Sequence, residues 1–371
     1  MENLVTAMHD NSIFRDKNVL VTGHTGFKGG WLSIWLDWLG ARVTGIALDP
    51  QHPNDVFPLS RINQRIRDHR TDIRDAGRVL ELFDSTQPEI VFHLAAQPLV
   101  LESYRDPLGT FAVNTQGTVH ILEAIRQTPS VRAAVLITTD KCYENREWMH
   151  GYRETDPMGG HDPYSASKGA AEIAIASYRR SFFAGGRPAA IASARAGNVI
   201  GGGDWSDYRL VPDIIRAIES GRILEIRNPA AIRPWQHVLE PLGGYLLLAQ
   251  KLLEAPAAFS EAWNFGPLPQ GVHPVGRVVE AFFQYYREHS SVHTAGWRDV
   301  SDPSQPHEAG LLMLDINKAI HRLGWKPVLD FRETIGFTAD WYSRYAKTDV
   351  LALCQEQIYQ YQELWKLRNG N

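Results

Sequence analysis

The chain has 371 residues, 44% of them hydrophobic and 22% charged, the balance of a globular protein large enough for one big domain or two of ordinary size. Its 38 Lys and Arg against 42 Asp and Glu give a formal net charge of -4, and with no basic block this argues against nucleic acid as the main partner. Two cysteines, Cys142 and Cys354, make no disulfide framework, no Cys/His spacing suggests a metal, and no apolar run is long enough to span a membrane. The first sixteen residues carry Glu2, Asp10 and Asp16 and lack an apolar centre, so they read as an extension rather than a signal peptide, with the cytoplasm as the expected compartment.

Asn18 to Thr22 reads as a short apolar strand. It runs into Gly23-His24-Thr25-Gly26-Phe27-Lys28-Gly29-Gly30 and then into a helical stretch, Trp31 to Leu39, closed by Gly40. Strand, glycine turn and helix in that order are the setting of a dinucleotide fingerprint, here spaced Gly-x-x-Gly-x-x-Gly. The glycines let backbone approach a pyrophosphate, and the helix N-terminus offers unpaired N–H groups to it. A second strand, Arg42 to Leu48, ends at Asp49, whose carboxylate suits the ribose 2′-hydroxyl of NAD and would repel the phosphate of NADP. A weak strand, Ile66 to Thr71, leads to Asp72-Ile73 and a helix from Ala76 to Ser85. The next strand lies within Pro88 to Gln97, with small residues at its carboxyl end that leave room in the crevice. A helix from Phe111 to Gln127 carries Asn114.

An apolar strand from Ala133 to Thr138 delivers Thr139-Asp140-Lys141 into a cleft. Downstream, Pro163 disfavours helix at Asp162, and Ala-rich residues run on from Ser165 as a helix with Tyr164 and Lys168 four apart on one face. A lysine ammonium beside a phenol lowers the phenol's pKa from about 10 towards working pH, and a threonine hydroxyl can hold a substrate alcohol beside it. Alone, Tyr-x-x-x-Lys is more often a surface pair; the upstream fingerprint supplies the hydride acceptor that gives it meaning.

Ala189 to Ala194 forms another strand. Strands alternating with helices over this length predict an α/β fold, a Rossmann-type doubly wound parallel sheet, with an NAD-binding domain over 17–195 and a smaller α/β lobe over 196–371. Segments around 233–266 are candidates to return to the first domain. The lobe opens with a glycine-rich loop, Arg195 to Trp205, followed by a helix at Leu210 to Ser220, an extended Ile223 to Arg227 and the cluster Arg233-Pro234-Trp235-Gln236-His237-Val238. A helix at Pro241 to Leu253, a strand end at Trp263 to Gly266 and four more helical stretches complete it. Trp205 and Trp235 are candidates to stack on a base or sugar, with core packing as the open alternative.

Gly23-x-x-Gly26-x-x-Gly29 with Tyr164-x-x-x-Lys168 on this strand order resembles the extended short-chain dehydrogenase/reductase family, the NAD-dependent epimerases and dehydratases of nucleotide sugars, over residues 17 to 345. The strings from Val21 to Gly29, His93 to Val100, Thr139 to Tyr143, Ala196 to Trp205 and Arg233 to Val238 resemble the 4,6-dehydratase branch that takes CDP-glucose. Relatives tend to carry Arg where this chain has Leu101 and Glu102. The resemblance implies NAD as cofactor and a product used in deoxysugar and surface-polysaccharide biosynthesis. It also implies at least a homodimer, formed through the helices Phe111 to Gln127 and Tyr164 to Arg180.

For the chemistry, the resemblance implies that Tyr164 takes the C4 hydroxyl proton with Thr139 holding the oxygen and Lys168 supporting the tyrosine. Asp140 is the candidate acid for the departing C6 hydroxyl and Lys141 the candidate C5 base, or else a permanent cation on the enolate oxygen. The cofactor would meet Gly23, Thr25, Gly26, Phe27, Gly29, Asp49, Asp72, Ile73, Leu94, Ala95, Ala96, Gln97 and Asn114, besides Tyr164 and Lys168. The nucleotide sugar would meet Gln97, Ser103, Asn198, Arg209, Arg233 and His237, with Arg233 the best diphosphate ligand because a guanidinium matches phosphate oxygens in a fork. No metal is implied. A nucleotide-sugar 4-epimerase, a dehydratase of another nucleotide hexose and a non-catalytic relative are the rivals. Asp140-Lys141 speaks against the epimerase, and the intact Tyr164 and Lys168 speak against the last.

Overall fold

Apolar residues alternate between two destinations along each central strand. In the computed structural model, which describes residues 13–184, 189–289, 296–301 and 311–369, Val19 and Val21 enter one core and Leu20 the other; Ile90 and Phe92 part from Val91 in the same way. A strand buried on both faces does this because successive side chains point to opposite sides. The N-terminal extension lies, for residues 1–12, outside the described residues.

Among the described residues seven strands form one parallel sheet: β1 Asn18–Thr22, β2 Arg42–Ala47, β3 Arg67–Arg70, β4 Ile90–His93, β5 Ala133–Ile137, β6 Ala190–Ala196 and β7 Ala262–Phe265. Their spatial order is β7-β6-β5-β4-β1-β2-β3. The chain starts in the middle, winds out to β3, crosses back to pair β4 with β1, and winds out the other way. The reversal between β1 and β4 opens a crevice at the carboxyl edge, where ligands of such sheets bind.

Helices cover both faces. α1 (Phe27–Trp38) lies on one face. α2 (Ala76–Thr86), α3 (Gly117–Gln127) and α4 (Pro163–Ser181) pack side by side on the other. Asp75 caps α2 by accepting from Arg78 N at 3.0 Å, and Asp162 caps α4 by accepting from Ser165 N at 2.9 Å. Pro163 is the first residue of α4 rather than a break before it, since a first-turn proline loses no helical hydrogen bond. The sequence predicts one helix from Phe111. The chain instead runs from a short helix, Pro107–Phe111, through a π-turn, Ala112–Gln116, into α3. The wider turn carries Asn114 into the interior.

The remaining chain builds a lobe over the carboxyl edge. It contains α5 (Leu210–Ser220), α7 (Val275–His289) and α8 (Phe331–Arg344), with α6 (Leu239–Glu254) and α9 (Val350–Asn369) returning against the α1 face of the sheet. Two-stranded pairs such as Ile232–Pro234 with Val272–Pro274 shape the lobe's loops. Glu240 on α6 stitches the return: it accepts from Val328 N at 2.8 Å, Leu329 N at 2.6 Å and the Tyr361 hydroxyl at 2.9 Å. Among the described residues no helix is long and apolar enough to cross a membrane.

Candidate active site

The first wall of the site is the glycine turn. Gly23 has φ +75°, and a Cβ there would stand 2.7 Å from Ala95 N, so β4 closes directly on the turn. A Cβ on Gly29 would stand 2.1 Å from the Gly23 carbonyl oxygen. Only glycine fits at either position. Gly26, which caps α1, offers no side-chain acceptor, so the first-turn N–H groups remain available to an anion. Thr25 donates to Leu48 O at 2.9 Å, and the Leu94 and Ala95 N–H groups donate to the Thr22 hydroxyl at 3.2 and 3.1 Å. This cradle fits the pyrophosphate of a dinucleotide.

The second wall is the end of β5. Thr139 caps a short 3-10 turn, Asp140–Cys142, and its hydroxyl donates to Asp140 Oδ1 at 2.9 Å. Asp140 is buried, and its Oδ2 has no hydrogen-bond partner. Gly197, at the end of β6, makes room for it: a Cβ there would lie 1.8 Å from that same oxygen. Tyr164 and Lys168 face this turn from α4, both buried, with Thr139 beside Tyr164. Lys141 is half-buried, and no ion pair of its ammonium is seen among the described residues.

Electrostatics here run against the simplest expectation. Burial pushes Tyr164 up to about 12, and Asp140 adds to this, while Thr139 and Arg209 oppose it. Burial pulls Lys168 down to about 8 despite Glu172. Desolvation of the phenol therefore outweighs any help from the lysine in the protein alone. Lys28, within the glycine turn, is drawn down to about 7 by burial and by the positive charge of Arg209 and Lys168, with Asp140 opposing. The sequence reading passed over Lys28, because nothing local shows that its stem carries the ammonium to Asp140.

Of the other candidates, Asn114 is buried at the centre of the crevice floor. It accepts from Gln97 N at 2.8 Å and donates to Gln97 O at 3.1 Å and Ser167 Oγ at 2.9 Å. Asn198, with φ +45°, sits beside Gly197 at the turn where the lobe begins. Arg209 pairs with Asp204 at 2.9 Å and acts electrostatically on both Tyr164 and Lys28. Phe27 lines the turn against Gly201, where an added Cβ would lie 3.1 Å from its ring. Arg233 lies on the Ile232–Pro234 strand and donates to Ile232 O at 2.9 Å.

Others are placed differently from the expectation. His237 is fully buried between the Trp31 and Phe337 rings, and burial holds it near 3, a neutral core imidazole without a route to a sugar. Ser103 is fully buried and donates to Val100 O at 2.7 Å within its own helix. The Gln97 side chain is engaged with Thr110 at 2.9 Å and with Leu99 N at 2.5 Å. Trp205 and Trp235 belong to the core, Trp205 against Tyr342 and Trp235 donating to His273 O at 3.0 Å. Asp49 is 86% exposed and pairs with Arg70 at 3.0 Å, so a guanidinium accompanies the carboxylate expected at the ribose. Asp72 is held low by its hydrogen bonds with Arg74, while Ile73 packs on Gly117.

A family model for GDP-mannose 4,6 dehydratase matches residues 20–338. The chain is 46% identical over 357 residues to a CDP-glucose 4,6-dehydratase of Salmonella typhimurium, covering 94% of this chain and 97% of that one. Among solved structures it is similar to a dTDP-glucose 4,6-dehydratase from Streptomyces venezuelae with NAD and TYD bound, at TM-score 0.74 and 21% identity over 90% of this chain and 99% of that one. It is also similar to a UDP-glucose 4-epimerase from Thermotoga maritima, at TM-score 0.73 and 21% identity over 89% of this chain and 100% of that one.

The Gly197 contact gives a direct test of how tightly β6 confines Asp140. Gly197→Ala places a methyl on Asp140 Oδ2 and should destabilise the protein by about 1–3 kcal/mol, read as a lower urea midpoint. An unchanged midpoint would mean that the turn yields freely.

Proposed function

The chain belongs to the GDP-mannose 4,6 dehydratase family, and on that premise we propose that it converts CDP-glucose to CDP-4-dehydro-6-deoxy-glucose, using NAD as a recycled cofactor. The observation that carries this reading is Asp140, buried with one oxygen unpartnered, on the same turn as Thr139 and facing Tyr164. An epimerase has no use for an acid there. The 46% identity with a CDP-glucose 4,6-dehydratase supports the nucleotide.

Bound NAD supplies the acceptor that takes the C4 hydride and returns it at C6, and brings a cationic ring to the site. Thr139 holds the C4 hydroxyl and Tyr164 accepts its proton. A phenol raised by burial needs positive charge nearby to act so, and Lys168, Lys28 and Arg209 contribute it. The C4 ketone makes the C5 hydrogen acidic. Asp140 then delivers a proton to the C6 hydroxyl as it leaves as water. Lys141 stands one residue on, either as the base that removes the C5 proton or as the cation that steadies the enolate while a water or Asp140 takes that proton. Arg209 and Arg233 are the guanidinium groups we assign to the diphosphate, and Asn198 links the sugar to the lobe. The product suits deoxysugar synthesis for surface polysaccharide. Two buried free thiols, Cys142 and Cys354, fit a reducing compartment such as the cytoplasm.

Exposed Leu108 and Phe111 on the Pro107–Phe111 helix, with Ile173 and Phe182 on and just after α4, support a homodimer through this face. Sedimentation at micromolar concentration should give a dimer or larger; a monomer would contradict the assignment. For the activity, purified protein is incubated with CDP-, dTDP-, UDP- and GDP-sugars. A 4-keto-6-deoxy product should form from CDP-glucose in preference to the others and stop forming in Asp140→Asn. Preference for another nucleotide, or an epimerised product, would overturn the reading.

A further inference from the structure

Behind the pocket runs a buried polar chain that the dehydration steps leave without a role. Glu172 lies one helical turn beyond Lys168 on α4, and both are buried. Its Oε1 accepts from the Thr138 hydroxyl, next to Thr139, at 2.5 Å. Its Oε2 accepts from the Ser193 hydroxyl and from Arg195, each at 2.8 Å. Arg195 also donates to the Tyr143 hydroxyl at 2.5 Å, and Tyr143 donates to Asn264 on β7 at 2.8 Å. The Arg195 and Glu172 side chains are only 4% and 3% exposed.

A buried ion pair of this kind adds little stability over apolar packing, so stability alone gives no reason for it. Its position does. Four titratable groups face Lys168: Glu172 on α4, Cys142 on the catalytic turn, His93 on β4 and Lys28 in the glycine turn. Burial keeps Cys142 a neutral thiol and His93 a neutral imidazole near 3, and Lys28 can only repel. Glu172 is the one carboxylate among them. Burial pushes its own carboxyl up, but Arg195 and the two hydroxyls outweigh this and hold it low, hence ionised.

We propose that Glu172, anchored by Arg195, is a positioning residue that keeps the Lys168 ammonium charged at working pH and so keeps Tyr164 usable as a base. This rests on the dehydratase reading above. Lys168 is held near 8 with Glu172 in place, so activity that needs its charge is present below that pH and falls as pH rises through it. Neutralising Glu172 leaves burial and the charge of Lys28 unopposed, so the ammonium loses its proton at lower pH. Removing Arg195 takes away the partner that holds Glu172 ionised, so burial returns a proton to Glu172 and the Lys168 ammonium again loses its proton at lower pH.

The test is the pH profile of kcat/KM for CDP-glucose dehydration. Glu172→Gln keeps an acceptor for Thr138 and Arg195 and should move the falling alkaline limb to lower pH by about 1. Arg195→Met should also move it to lower pH and carries the test alone if the first variant does not fold. Tyr143→Phe breaks the same hydrogen-bond chain without changing a charge; it should lower the urea midpoint and leave the limb in place. A Glu172→Gln enzyme slower by the same factor at every pH, or an Arg195→Met limb that stays or moves up, would overturn the proposal. Product from the unmodified protein is measured in the same buffers. Its absence there sinks the dehydratase reading, whereas an unmoved limb in an active enzyme sinks only the role of Glu172.

Discussion

Charge held out of water is the constraint on which this site depends. Asp140, Lys168, Glu172 and Arg195 are all buried within a short stretch behind the carboxyl edge of the sheet. An unpaired buried carboxylate or lysine gives up its charge and a buried guanidinium needs an anion beside it, because an unpaired buried ion costs several kcal/mol. The structure meets this with partners for some and leaves others poised. Glu172 and Arg195 satisfy one another, whereas Lys168 and Tyr164 are left displaced towards their neutral forms. A site in that state responds strongly to the arrival of further charge, which is what a cationic nicotinamide and an anionic nucleotide sugar bring.

The sheet order explains why these groups meet. β1 and β4 part to opposite sides of the switch point, so the glycine turn and Ala95 close on one another within van der Waals distance. β5 delivers Thr139 and Asp140 beside that cradle, and β6 ends at Gly197 so that Asp140 has somewhere to lie. Trp31 on α1 donates to Gly202 O at 2.9 Å, and Val56 N donates to Gly203 O at 3.0 Å. The lobe's glycine loop is thereby tied to the nucleotide-binding half from both sides. Distances across the pocket are set by rigid elements rather than by the loops alone.

Much of this was legible beforehand because it is local. Short apolar runs marked β1, β4 and β5, and Gly23, Gly26 and Gly29 announced a tight turn whose Gly23 and Gly29 positions only glycine can fill. The four-residue spacing of Tyr164 and Lys168 put them on one helical face. What was not legible depends on contacts far apart in sequence. The resemblance placed His237 at the nucleotide sugar, yet Trp31 and Phe337, distant along the chain, enclose it. The π-turn that carries Asn114 inward has no local sequence signal, and an ordinary helix over Phe111 to Gln127 fits the same residues. Glu172 carries no local signal of its role, which depends on Arg195 set against it by β6. The direction of the Tyr164 shift was misjudged for the same reason: burial, which a sequence shows poorly, outweighs the neighbouring charge that it shows well.

The central claim is that oxidation at C4 and reduction at C6 are two halves of one closed cycle in this pocket. Its most direct measurement uses CDP-glucose deuterated at C4, with the product examined by mass spectrometry and NMR and the free cofactor by absorbance. The account predicts that the deuterium appears at C6 of the 4-keto-6-deoxy product and that no reduced cofactor accumulates. Loss of the label from the product, or reduced cofactor building up in step with turnover, would contradict it.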